Sequence, residues 1–480
     1  MGGGEQSAEG LYEVSPGAAR KPLRGGCAWR DVEATALQQV VRGNLATLLA
    51  ECEEAGGLPR FVERDFRRYL ACGIPALGFT RVVCRVCRRE RLVAFSCKSR
   101  GVCPSCNARR AHDTAIHLVE EVLPVAPYRQ WTLSFPMRLR FLLARDSALL
   151  SEVLGTFVRC LFSFQRKTAR RLGVRAPAAG AVALMQRFGS SLQLTPHFHL
   201  LAPEGVFEEL GGDSRARLCR LPPPDDTEVE ELLRRVALRV VALLRKTGKL
   251  EEAQPGEDAL DFLRAQAVRT PRLPLALDER PPRRGRRCAF LEGFSLHANT
   301  WVHENDRVGL ERLSNYGARG PLSLERLSLL PDGNVAYRMK RPAASGATEL
   351  VLSPLAFLRR LAALVPPPRV HLARFFGVLA PNARLRPLVV PRPPPPPTPP
   401  PAEGPLAAAT RPSCVPWAQL LARTFGEDVF VCDRCGGPRR VVACVFSAAI
   451  AARILNHLRI PSRPLPLARA QDPPQLHMYA

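Results

Sequence analysis

The sequence predicts an α+β fold: an antiparallel sheet with packed helices, preceded by a zinc ribbon and followed by a small C-terminal module. Three observations predict it. Strand-like alternation punctuated by Pro and Gly recurs at 128–135, 181–188, 191–201 and 289–302. Amphipathic helical stretches fall between and after these strands, at 146–172, 227–246 and 305–318. Finally, the fifteen cysteines include three Cys-x2-Cys pairs, which read as metal ligands rather than as a disulfide framework.

The elements follow in order. Residues 1–30 are Gly-rich, lack periodicity and read as a loose tail. Between 31 and 71, Val40, Val41, Leu45, Leu48 and Leu49 recur at helical spacing, and a Cys- and Arg-rich module covers 80–111, so a first domain spans 31–112. A second domain runs over 125–390. Its helix at 227–246 opens with Asp226 or Thr227 as cap and with Glu228, Glu230 and Glu231 in the first turn. A Pro/Arg loop covers 270–287, Pro331-Asp332-Gly333 turns a hairpin, and 355–365 is helical. The run PRPPPPPTPPPAEGP at 391–405 is a semi-rigid polyproline linker. Beyond it lie a small module at 406–460 with its own CxxC and a second loose tail at 461–480.

Length and charge bound the function. The 480 residues amount to three domains at roughly 150 residues each. No uninterrupted apolar run approaches the ~18 residues of a membrane span, and MGGGEQSAEG lacks a signal-peptide pattern, so a cytoplasmic, membrane-free protein is expected. Sixty-nine Lys+Arg against 44 Asp+Glu give +25, and only six of the cations are lysines. Guanidinium forks match phosphate bidentately, so a polyanion is the natural partner. The competing explanation is the Arg, Ala and Pro usage of a GC-rich genome.

Cys84-x2-Cys87, fifteen residues, then Cys103-x2-Cys106 has zinc-ribbon spacing. Four thiolates complete a tetrahedron and leave no open position, so this Zn²⁺ is structural. Around it lie Arg88, Arg89, Arg109 and Arg110 against the single acid Glu90, which makes the ribbon a DNA-contact candidate. Cys97, between the pairs, reads as a small buried residue. Cys432 and Cys435 are candidates for a second zinc, with Cys444 and Cys414 as partners at irregular spacing.

The chemistry centres on two further motifs. In Thr195-Pro-His-Phe-His-Leu200, strand period two sends His197 and His199 to one face, where two neutral imidazoles can hold a divalent metal and leave positions open for phosphate oxygen. His297 is the first candidate for a third ligand and Gln186 the second. Paired histidines without catalytic duty are the competing explanation. Of six tyrosines, Tyr316 alone lies near the end of a helix, with Arg312 four residues before and Arg319 three after, both at helical-neighbour spacing and able to grip phosphate.

Taken in order, Phe95-Ser-Cys-Lys98, Cys103-Pro-Ser-Cys106, Gln186-Arg-Phe-Gly189, Pro196-His-Phe-His199, Gly293-Phe-Ser-Leu-His297, Leu310-Glu-Arg-Leu-Ser-Asn-Tyr316 and Phe375-Phe-Gly-Val-Leu-Ala-Pro381 resemble the bacterial rolling-circle insertion-sequence transposases of the IS91 type. The resemblance covers about 35–460. It implies an HUH nuclease core (His, bulky hydrophobe, His) behind an N-terminal transposase zinc-binding domain. It also implies a metal-dependent endonuclease and strand transferase acting on single-stranded DNA at element ends, with Mg²⁺ or Mn²⁺ on His197 and His199. Tyr316 matches the nucleophile, forming a 5′-phosphotyrosine, in a bacterial, nucleoid-associated setting. Some members carry a second tyrosine four residues on; here that position is Gly320, so homo-oligomeric transfer becomes an alternative to a two-tyrosine mechanism.

Two other functions share parts of this pattern. A plasmid or phage replication initiator or relaxase would use the same nicking chemistry, though no GxxxxGK[ST] nucleotide loop is present. A non-catalytic zinc-ribbon DNA-binding protein would shift DNA without forming a covalent adduct.

Overall fold

A computed structural model of the chain describes residues 32–210, 215–249, 258–268, 285–340, 342, 346–391 and 416–471. The helical stretch predicted at 31–71 is two helices, α1 (Ala36–Glu53) and α2 (Arg60–Leu70). Gly56 and Gly57 both take positive φ, and Pro59 precedes α2, so the chain turns where a helix could not continue. Strands β1 (Phe79–Cys84) and β2 (Glu90–Ala94) form a hairpin. It leads to α3 (Pro104–His117), which has proline at its first position, and to a π-helical turn at Leu118–Val122.

Next come β3 (Tyr128–Ser134), α4 (Met137–Arg145) and α5 (Ser147–Arg171), the last capped by the Asp146 carboxylate on the amides of Ala148 and Leu149. They are followed by β4 (Gly180–Phe188), β5 (Leu194–Pro203) and the paired strands β6 (Gly205–Leu210) and β7 (Arg215–Arg220). Helix α6 (Asp226–Lys246) starts one residue earlier than the cap reading allowed. Asp225 is the cap and closes a capping box with Glu228. After α7 (Ala259–Val268), the strand predicted over 289–302 is instead a hairpin of β8 (Cys288–Leu291) and β9 (Phe294–Val302). Its two turn residues, Glu292 and Gly293, both have positive φ, as a tight two-residue turn demands.

Helix α8 (Arg307–Ala318) is capped by Asp306. Strands β10 (Leu327–Leu329), β11 (Val335–Arg338) and β12 (Glu349–Leu352) make a small sheet around the predicted turn at Pro331-Asp332-Gly333. The remaining elements are α9 (Pro354–Leu364), β13 (Ala373–Gly377), α10 (Arg386–Val389), α11 (Trp417–Phe425), β14 (Arg439–Val445) and α12 (Ala448–His457). The polyproline run beyond Pro391, the N-terminal tail and most of the Pro/Arg loop lie outside the described residues.

The core is a six-stranded antiparallel sheet in the order β13-β4-β5-β3-β9-β8, so the two-histidine strand is central, as expected of an HUH-type core. Its two faces differ in chemistry. Trp131, Leu133, Phe198, Leu200 and Leu296 pack on Val153 and Phe157 of α5 and on Val236 and Val240 of α6. Truncating Phe157 or Phe198 to alanine would cost about 3–5 kcal/mol. The opposite face mixes Val182, Leu184 and Leu201, which meet Leu310 of α8, with the polar Thr132, Gln186, His197 and His199. By length and composition α5 could cross a membrane, contrary to the apolar-run reading, because isolated charges such as Glu152 and Arg159 interrupt a run without lowering its average much. In the fold 56% of that stretch is buried.

The region expected to be a separate module at 406–460 is not separate. Strand β14 pairs antiparallel with β1, from Phe79↔Val445 to Cys84↔Arg439, and completes a sheet of order β14-β1-β2. Nor are residues 461–471 a loose tail. The Leu465 amide donates to Glu33, Ala468 to the Arg42 carbonyl and Gln471 to Thr47 Oγ1, which lays this segment along α1.

Candidate functional site

The four cysteines expected to share one zinc are divided between two clusters. Cys103 and Cys106 join Cys72 and Cys97, whereas Cys84 and Cys87 join Cys432 and Cys435. The β1–β2 hairpin explains the division. Cys84 and Cys87 lie at its turn, beside the Cys432–Cys435 turn, where the Arg85 amide donates to the Pro438 carbonyl. Cys97 follows its open end, where Phe79 pairs with Ala94, and there Cys103 caps the start of α3. The two CxxC pairs of the predicted ribbon are held apart by the length of the hairpin between them.

Both clusters fit zinc. Tetrahedral zinc with ~2.3 Å bonds to sulfur has sulfur–sulfur edges of about 3.8 Å. The first cluster shows 3.7 Å for Cys72–Cys106, 3.4 Å for Cys97–Cys106 and 3.6 Å for Cys103–Cys72. The second shows 3.5 Å for Cys84–Cys435 and 3.6 Å for Cys87–Cys432. Local amides favour thiolate there, and the Arg434 amide leads in pulling the Cys432 thiol down to about 6. Cys97 and Cys72, unpaired in sequence, are therefore the ligands that spacing missed. Cys444 is exposed and near Thr80 rather than in a cluster, and Cys414 lies outside the described residues.

The second centre lies on the polar face of the core sheet. Register sets Thr132 opposite His199, Ser134 opposite His197, and Gln186 opposite His197 from the other side. The imidazoles are 4.9 Å apart. His197 Nδ1 lies 2.8 Å from the Thr195 carbonyl, which can only accept, so Nδ1 carries the proton and Nε2 keeps its lone pair. His199 Nδ1 meets Thr132 Oγ1 at 3.2 Å, and Gln130 Nε2 in turn donates to that hydroxyl. His199 Nε2 is buried with no protein partner. Burial depresses both histidines, His199 to about 3, so both are neutral at physiological pH. Two neutral imidazoles, one with an orphaned buried nitrogen, fit a divalent cation.

The third-ligand candidates are placed differently from expectation. His297 lies two strands from His199, with Nδ1 3.0 Å from Cys288 Sγ, and does not join the histidine pair in a metal-ready group. Gln186 is adjacent, but its Nε2 donates to the carbonyls of Tyr316 and Gly317 at 2.7 and 3.0 Å. Only its Oε1 remains as a ligand atom, and its visible work is to moor the end of α8.

Tyr316 stands on that moored turn. The residue is 42% exposed, and its ring centroid is 5.8 Å from that of His199. Arg319, just past the helix end in extended conformation, lies 4.6 Å over the ring and 5.4 Å over Phe188. Lys340 sits 5.0 Å over the same tyrosine ring. Burial, with Arg319 and Arg326 nearby, lowers that lysine to about 8. Sequence reasoning missed Lys340, since it arrives from the connection between β11 and β12, beyond the end of α8 and outside its helical spacing. Arg312 is exposed on α8. Of the ribbon arginines, Arg88 is exposed, Arg89 lies 3.8 Å from Asp433, Arg109 donates to Ser96, and Arg110 donates to the Lys98 carbonyl.

The zinc helix and the tyrosine helix touch. Asn315 of α8 meets His112 of α3 at 3.1 Å, and a Cβ at Gly320 would fall 2.7 Å from Asn107 of α3. A Cβ at Gly317 would fall 2.5 Å from Leu184 Cδ1, so α8 lies directly on β4.

Two family models match this arrangement. Residues 180–386, which hold the histidine pair and Tyr316, match one described as "Putative transposase". Residues 44–135, which hold the whole first cysteine cluster together with Cys84 and Cys87, match a transposase zinc-binding domain of the IS91 type. No curated protein and no solved structure matches the chain.

Proposed function

The chain belongs to the IS91-type transposases, and from that membership we propose that it nicks and rejoins single-stranded DNA at mobile-element ends through Tyr316. One observation carries the proposal: an exposed tyrosine, moored by Gln186, faces the His197–His199 pair beneath two cations.

In this mechanism the Tyr316 oxygen attacks the scissile phosphorus. The new O–P bond forms as the bond to the 3′ oxygen breaks. The phenol proton leaves, and the departing oxygen takes one up as a 3′-hydroxyl. The strand stays linked through a 5′-phosphotyrosine, which conserves bond energy for rejoining. His197 and His199 would hold Mg²⁺ or Mn²⁺, which when bound offsets charge on a non-bridging oxygen. Arg319 and Lys340, both over the Tyr316 ring, would offset negative charge that develops at the phenol oxygen. Thr132 and Gln130 fix the His199 ring.

A second tyrosine at 320 has no room beside Asn107, so one protomer makes one covalent link at a time. Transfer is completed by a second protomer or by reuse of Tyr316. The test is a denaturing gel of the full chain with single-stranded element-end oligonucleotides and Mn²⁺. Tyr316→Phe should lose the covalent adduct and keep the mobility shift. A wild-type chain that shifts DNA but never forms an adduct would establish the non-catalytic reading instead.

A further inference from the structure

Tyr316 lies in the last turn of α8, where a helix leaves carbonyls without partners and frays unless something grips it. Two neighbours grip this one. From β4, Gln186 donates to the carbonyls of Tyr316 and Gly317, and Leu184 lies against Gly317. From α3, His112 Nε2 meets the side-chain amide nitrogen of Asn315 at 3.1 Å, and Asn107 lies beside Gly320. The α3 grip is built on the first cysteine cluster. Cys103 caps α3, Cys106 lies in its first turn, and Asn107 follows Cys106 directly. Asn107 is buried, and its Nδ2 donates to the Gly101 carbonyl at 2.8 Å. His112 stands about 9 Å farther along the helix at about 1.5 Å per residue.

Packing alone does not account for an imidazole at this place. His112 is half-buried and burial lowers it, so the ring is neutral and carries one proton. The Asn315 amide can complement either tautomer at Nε2, but Nδ1 is buried with no partner. A leucine would fill the space without stranding a nitrogen. What a leucine could not do is hold Asn315, the residue before Tyr316.

We propose that His112 is a positioning residue for the nicking reaction: through Asn315 it ties the turn that carries Tyr316 to the first cysteine cluster, so that metal held by that cluster steadies the nucleophile. The second cluster sits at the other end of the β1–β2 hairpin and serves as the internal control. The proposal rests on the nicking reading for its reaction, while the tie itself can be read without DNA.

The experiment compares the zinc-loaded full chain with His112→Leu, Asn315→Leu and His112→Gln, whose amide can stand in for Nε2. In hydrogen exchange read by mass spectrometry, both leucine variants should speed exchange at the end of α8 and leave β5 unchanged. Cys97→Ser should speed it as well, and Cys432→Ser should not. In single-turnover gels with element-end oligonucleotides and Mn²⁺, each leucine variant should slow adduct formation on the order of 10-fold or more, with DNA affinity in the absence of divalent metal changed less than about twofold. The double leucine variant should be no slower than either single one, because the two side chains form one link. His112→Gln should recover most of the rate, which a role in packing alone does not predict. Equal losses of rate and affinity, or slowing that multiplies in the double variant, would overturn the proposal. Equal effects of the two cysteine variants on α8 would overturn the link to the first cluster. Unchanged exchange at the end of α8 in both leucine variants overturns the tie whether or not an adduct forms. If the wild type forms no adduct while exchange behaves as expected, the nicking reading falls and the tie stands.

Discussion

Gln186 holds Tyr316 by its main chain. The amide Nε2 donates to the carbonyls of Tyr316 and Gly317, so the phenol takes no part in the mooring. The strand that pairs with the histidine strand thereby fixes the turn that carries Tyr316.

Loss of that mooring should therefore be kinetic more than affinity-based. Gln186→Leu removes two hydrogen bonds and should destabilise the fold by about 1–3 kcal/mol. Adduct formation should slow by up to about 100-fold through misplacement of the phenol. DNA affinity without divalent metal should change less than about twofold. Single-turnover gels paired with anisotropy read both, and an equal loss in each would show that Gln186 only supports the fold.

Tyr316→Phe deletes the hydroxyl of an exposed residue and should change stability by less than about 0.5 kcal/mol. Covalent adduct should vanish. Adduct mapping by mass spectrometry would locate any other nucleophile.

The histidine pair gives a signed pH dependence. His199 is lowered to about 3 from an ordinary value near 6.5, and His197 is lowered as well. Below about 6.5 the unfolded chain binds protons that the folded chain refuses, so stability falls from pH 6.5 down towards 3. For His199 alone the loss at pH 5 is roughly 2 kcal/mol. His199→Asn should flatten this acid limb in denaturant melts. An unchanged limb would mean that the pair is not the group titrating.

Purified protein should carry two zinc ions. Cys97→Ser and Cys432→Ser should each lose one, and a different one, by elemental analysis. The single-zinc ribbon reading instead has both variants keeping a zinc on Cys84, Cys87, Cys103 and Cys106. Because structural zinc contributes folding energy, chelation should melt the zinc-bearing region before the core sheet.

Gly320→Tyr should not restore a two-tyrosine mechanism. The new side chain meets Asn107, and overpacking of this kind costs about 1–3 kcal/mol. No second adduct should appear in the double variant with Tyr316→Phe.

What could be read in the sequence was what depends on local spacing. Period-two alternation put His197 and His199 on one face of a central strand, and helix spacing placed Tyr316 near a helix end. The cysteine partners were not legible, because which CxxC turns face each other depends on β1 pairing with β14, and Cys84 and Cys435 are 351 residues apart. Cys72 and Cys97 carry no motif and become ligands only once α3 is docked. Lys340 reaches the tyrosine through a hairpin from another sheet, so no spacing rule links the two. Arg312 and Arg319 looked equivalent by helical spacing. The helix ends at Ala318, and leaving it is what lets Arg319 fold back over the ring.

The pairing of β1 with β14 has a consequence for how the protein is made. The core sheet with its helices is in effect an insertion between two strands of the same small sheet. During synthesis, β1 and β2 emerge early with half a metal site and an unpaired edge, and they stay so until β14 leaves the ribosome. The core can fold while they wait, since none of its six strands comes from the last segment. A message cut short after the polyproline run would thus yield a chain with its histidines and tyrosine in place but with an open sheet edge and two thiols lacking their mates. Synthesis of β14 is itself the step that closes the small sheet.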